Sequence, residues 1–197
     1  MTIVCLGWGS LIWNPGNLPC SSEWKTDGPV LPIEFARISN GGRVTLVLTP
    51  AAKDVPVLHA SLNVNSLEDA VSALAIREGV IDHDSIGRWP SQKSYPFSNV
   101  IESWARARDV TGIVWTALPP GTKENRGQIP SLDDVVRYLK TLDDQQKAAA
   151  IEYVRKAPAQ IATGYRPSIE HELGIVPAIC VADLGDAPAD SREPGSN

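Results

Sequence analysis

Ile3-Val4-Cys5-Leu6-Gly7-Trp8-Gly9-Ser10-Leu11-Ile12-Trp13 opens the chain with a short apolar strand that stops at a tryptophan held between two glycines. Glycines on both sides of an aromatic residue let the backbone take positive φ and come close to another group. Successive N–H groups in such a turn can converge on an anion. Ser10 adds a hydroxyl, and Trp8 and Trp13 are placed to wall a pocket. A plainer reading of the same residues is a tight turn whose tryptophans fill the core. The run lacks the third glycine and the later acidic residue of a dinucleotide fingerprint.

Outward from this loop, residues 14–32 are rich in Pro, Gly and Asn and read as a loop excursion. Residues 32–38 alternate as a strand, Asn40-Gly41-Gly42 is a turn signal, and residues 43–48 are apolar and β-branched, so the block predicts a hairpin. Residues 57–64 read as a further strand. Residues 82–108 carry Pro90 and Pro96 and predict no long element, and residues 111–118 form a β-rich run closed by Pro119-Pro120-Gly121. The last third predicts helices: one from Ser131, with Asp134 three residues on, one over 143–155, and a short one after Pro167. Strands followed by helices, with one helix inside the β section, predict an α+β fold.

Composition narrows the function classes. The 197 residues suit one domain, here residues 1–185, with 186–197 as a flexible Ala/Pro/Asp/Ser tail. Eighteen Lys and Arg stand against 23 Asp and Glu, a net charge of −5, with no basic run. That argues against nucleic acid or an anionic membrane as the main partner. No stretch approaches a transmembrane length, and the N-terminus lacks a charged n-region, so a cytoplasmic protein is expected. Three cysteines, Cys5, Cys20 and Cys180, show no CxxC spacing and read as reduced thiols. His59, His83 and His171 are isolated, so no metal and no cofactor are expected.

Residues 66–78 give the clearest helix. Ser66 is an N-cap with Asp69 three residues on, Leu67, Ala70, Val71, Leu74 and Ala75 make one apolar stripe, and Gly79 supplies the stop. Glu78 extends that stripe, about 20° from Leu67 around the helix. It also sits in the last turn, where the helix dipole disfavours an anion. A carboxylate facing inward at a helix C-terminus is the kind of local conflict found at functional sites. Two alternatives stand beside that reading: pairing with an arginine, Arg37 or Arg43, or fraying that turns Glu78 outward.

These two loci resemble the γ-glutamylcyclotransferases. That family carries an aromatic-Gly-Ser-Leu loop after its first strand, similar to Trp8-Gly9-Ser10-Leu11-Ile12-Trp13-Asn14-Pro15-Gly16. Phe35-Ala36-Arg37 and Gly42-Arg43-Val44-Thr45-Leu46-Val47 look like segments of its glutathione-degrading branch, and Arg77-Glu78-Gly79-Val80 is similar to the helix end that bears its catalytic glutamate. The resemblance implies a small mixed β-barrel or sheet with flanking helices. It implies that Gly7, Trp8, Gly9, Ser10 and Leu11 bind a small γ-glutamyl substrate and that Glu78 transfers protons while the substrate closes to 5-oxoproline. Trp8 stands where the family usually has tyrosine, and Ile86-Gly87-Arg88-Trp89 follows Glu78 where the family often has a tyrosine; Tyr95 and Tyr165 are the candidate replacements. A non-catalytic binder of a carboxylate or acylamino ligand, and an interaction module with a pocket filled by Trp8, Trp13 or Trp89, are the other readings.

Overall fold

The computed structural model describes residues 2–39, 41–50 and 52–175. Among these residues seven strands and five α-helices run in the order β1 (Ile3–Gly7), β2 (Val30–Ile38), β3 (Val44–Leu48), β4 (Asp54–Pro56), β5 (Leu58–Ser61), α1 (Leu67–Glu78), β6 (Ile86–Trp89), α2 (Ser98–Arg106), β7 (Gly112–Thr116), α3 (Leu132–Leu139), α4 (Asp144–Lys156) and α5 (Arg166–Glu172). The fold class is α+β as expected. The strands form two open sheets, with order β5-β1-β7-β6 and β3-β2-β4, and not a closed barrel. The expected flexible tail lies outside the described residues.

β1 is central in the first sheet, antiparallel to β5 and parallel to β7. Its alternation sorts the interior. Ile3 and Cys5 join Val114 and the α1 stripe of Leu67, Ala70, Val71, Leu74 and Ala75 on one face. Val4 and Leu6 join Ile113 and Trp115 on the other, where they meet Leu31, Ile33 and Phe35 of the second sheet and residues of α2 to α5. A strand buried on both faces reads as a continuous apolar run, as residues 3–6 do.

The β2–β3 hairpin forms with a register shift between Phe35 and Arg37. Its alternation assigns Glu34 to an outer face, yet Glu34 is only 3% exposed. Its carboxylate accepts from the Phe35 N–H at 2.7 Å and from the Tyr165 N–H at 3.0 Å. It thereby sits at the N-terminal end of α5, which has no side-chain cap of its own, and there the helix dipole favours an anion. At the same end of α5, the Arg166 guanidinium donates to the carbonyls of Val154 and Ala157 and closes α4.

Residues 82–108 hold more structure than their prolines suggest. β6 pairs with β7, and α2 begins after Phe97, a left-handed residue that makes no side-chain cap bond. Without a Ser, Thr, Asp or Asn cap, no start signal marks α2 in the sequence. Among the described residues no helix is long and apolar enough to cross a membrane.

Replacing Glu34 by Ala leaves two buried N–H groups without an acceptor. The expected cost is about 2–4 kcal/mol of folding stability, measured by urea unfolding. Glu34→Gln keeps one acceptor and should cost less.

Candidate functional site

The loop after β1 and the end of α1 meet. Trp8, Gly9, Ser10, Leu11 and Glu78 line one open cavity of about 340 Å³. Arg37 and Thr45 to Val47 come to it from the second sheet, Thr116 and Leu118 from the end of β7, and Tyr153 from α4. The cavity therefore lies beyond the C-terminal ends of the parallel pair β1 and β7, at the junction of the two sheets. Gly7 does not line it.

Chain geometry sets the loop. Ile12 N–H donates to Gly9 O at 3.0 Å and Asn14 N–H to Ser10 O at 2.8 Å, which winds residues 9–14 into a tight turn. Among the described residues no protein group accepts from the N–H groups of Gly9, Ser10 and Leu11. Successive free amides at the start of a turn suit an anion. The glycines serve close approach, not positive φ, which neither Gly7 nor Gly9 adopts. A Cβ on Gly7 would stand 2.6 Å from the Trp24 ring, and one on Gly9 would stand 2.5 Å from the Tyr153 hydroxyl.

Trp8 is 5% exposed, and its Nε1–H donates to Leu46 O at 3.3 Å. The Leu46 N–H in turn donates to the Tyr153 hydroxyl oxygen at 3.3 Å. β3 is an edge strand, so two side chains of the cavity satisfy backbone groups that the sheet leaves unpaired. The Trp8 indole thus fastens the loop to β3. Tyr153 brings a phenol to the cavity, and burial pushes its pKa up to about 12. It stays protonated across the neutral range, with no acceptor for its proton among the described residues. Tyr95 and Tyr165 do not reach the cavity: Tyr95 packs on Trp115, and the Tyr165 hydroxyl donates to Pro130 O. Trp89 lies on a separate surface hollow with Pro90 and Lys93.

Glu78 faces inward at the end of α1, its side chain 14% exposed. The helix start is as expected, with Ser66 Oγ accepting from Asp69 N–H, and Gly79 closes the helix at φ 64°. Glu78 is paired, but with neither Arg37 nor Arg43. The partner is its neighbour Arg77, whose Nη1 donates to Glu78 Oε1 at 2.6 Å. Nη2 of the same guanidinium donates to Ser10 Oγ at 3.1 Å and to Asn14 O at 2.6 Å. Arg77 therefore ties the carboxylate to the loop. Sequence reading passed over it because a basic residue in a last helical turn is explained by the dipole alone. Tyr153 carries no signal either, since α4 resembles nothing beyond a helix.

The cavity holds three guanidinium groups, Arg37, Arg43 and Arg77, against the one carboxylate of Glu78. Burial and then the nearby Arg126 pull the pKa of Arg37 below its ordinary value, while Glu78 opposes them. The surplus of positive charge suits an anionic ligand. A cysteine nucleophile finds no support: Cys5 is fully buried in β1, and burial, with Cys20 and Glu78 adding to it, pushes its thiol up. His59 is engaged with Asp27 at 2.9 Å. Among the described residues no group of three or more His, Cys, Asp or Glu is placed to hold a metal ion. No protein-family model matches the chain, and no curated protein matches it.

Gly9→Ala should lower stability by about 1–3 kcal/mol through overpacking against the Tyr153 hydroxyl. In a Tyr153→Phe background, where the nearest ring carbon is 3.6 Å from the new Cβ, the penalty should largely vanish. A double-mutant cycle in denaturant measures that coupling. Tyr153 and Cys5 both have folded pKa values raised above their unfolded ones. Their contribution is complete below the unfolded values, about 9 to 10, and is lost as pH rises through the folded ones. Melting temperature should fall on the alkaline side from about pH 9.

Proposed function

We propose that the chain is a γ-glutamylcyclotransferase-like enzyme, which converts a γ-glutamyl amine or peptide to 5-oxoproline and releases the amine. The single observation that carries the reading is the convergence of Glu78 and the Trp8-Gly9-Ser10-Leu11 loop on one open cavity with surplus positive charge. On this reading the two sheets and flanking helices are an open version of that family's arrangement.

The free amides of Gly9, Ser10 and Leu11 receive the substrate's α-carboxylate. Glu78, held through Oε1 by Arg77, keeps Oε2 for the substrate's α-amine and takes a proton from it. The amine nitrogen attacks the γ-carbonyl carbon of the same molecule, and a five-membered lactam forms as the bond to the leaving nitrogen breaks. The proton on Glu78 passes to that nitrogen. Both reacting groups belong to one molecule, so proximity lowers the barrier and one positioned base suffices. Tyr153, a protonated phenol in the cavity wall, supplies a hydrogen-bond donor to a polar atom of the substrate.

An open cavity of about 340 Å³ speaks against the filled-pocket module, since Trp8 lies in the wall and Trp89 is elsewhere. Activity separates enzyme from binder. Purified protein incubated with γ-glutamyl compounds, glutathione included, should yield 5-oxoproline by mass spectrometry. Glu78→Gln should lose at least about a hundredfold in turnover with stability nearly kept. Unchanged turnover in that variant would remove Glu78 from the mechanism. Thermal protection without product would make the chain a binder.

A further inference from the structure

A second cavity of about 580 Å³ adjoins the first and shares Ser10, Arg43, Arg77 and Tyr153 with it. Its far side is made by Trp13 and Asn17 of the loop and by Glu152 and Lys156 of α4. The four shared residues set the two cavities side by side. We propose that the second cavity receives the leaving amine and that Arg43 selects leaving groups that carry a carboxylate. The position of the leaving group rests on the cyclotransferase reading.

The charges of the second cavity decide the selection. Lys156 is neutralised by Glu152 at 2.6 Å. Arg77 is spent on Glu78, Ser10 and Asn14. Arg43 differs from both. Among the described residues it makes no hydrogen bond and no ion pair, and its guanidinium lies 6.0 Å over the Tyr153 ring. A guanidinium braced on an aromatic face, with its donors unspent, is preorganised for a carboxylate. Trp13, set edge-on to Tyr153 at 5.3 Å, adds an apolar wall for the stem of the leaving group. A neutral alkylamine forgoes the Arg43 contact, and a cationic amine meets repulsion from it.

The discriminating pair is γ-glutamylalanine and γ-glutamylethylamide, whose leaving groups differ only by a carboxylate. Calorimetric binding to Glu78→Gln protein reads the subsite without turnover. One partly exposed charge pair predicts about fivefold tighter binding of γ-glutamylalanine, and raising the salt concentration should shrink that preference. Adding Arg43→Gln should bring the two ligands within about twofold, while Arg43→Lys should keep part of the preference. Equal affinities in the Glu78→Gln protein, or a preference that survives Arg43→Gln, overturn the selection while leaving the cyclotransferase reading intact. Absence of binding by both ligands, together with no 5-oxoproline from wild type, defeats that reading and the subsite with it. A carboxylate preference that depends on Arg43 upholds the subsite even if wild type releases no 5-oxoproline.

Discussion

The Arg77 guanidinium is the constraint on which the cavity depends. It reaches the carboxylate next to it in the chain, a loop hydroxyl 67 residues away and a loop carbonyl 63 residues away. At 11% side-chain exposure such charge-assisted bonds are little screened, and one guanidinium serves all three partners through its fixed set of donors. The end of α1 and the turn after β1 are thereby fixed against each other. Removing one partner of such a cluster leaves the others short of their bonds, which is costlier than the net worth of the contacts.

A second fastening acts across the sheets. The outer edge of β3 offers Leu46's N–H and C=O, and Tyr153 and Trp8 take one each. The same two residues line the cavity. Edge satisfaction and cavity construction are therefore one device: a strand edge that would otherwise invite pairing is covered by side chains that shape the pocket. Gly9 belongs to it as well, because only the absence of a Cβ leaves space for the Tyr153 hydroxyl.

How much of this was legible in the sequence follows from where the signals are local. The loop glycines, the Ser66 cap, the α1 stripe and the inward angle of Glu78 all rest on spacing within a dozen residues, and each appears where spacing puts it. Choices between distant partners were not legible. Pairing of Glu78 with Arg37 or Arg43 was one alternative reading, whereas the adjacent Arg77 holds it, because the helix end turns that side chain toward Ser10. Tyr153 lies 144 positions beyond Gly9 and arrives through helix packing. β6 and α2 were missed since Pro90 and Pro96 suggested breaks, and α2 starts at a left-handed Phe97 without a capping side chain. A barrel was implied by resemblance, yet the strands form two open sheets.

The most direct measurement is a crystal structure of Glu78→Gln protein soaked with a γ-glutamyl compound. The account predicts the ligand's α-carboxylate within hydrogen-bond reach of the Gly9, Ser10 and Leu11 amides, with the α-amine beside residue 78. A ligand seated outside the cavity, or one with its amine turned away from residue 78, would contradict it.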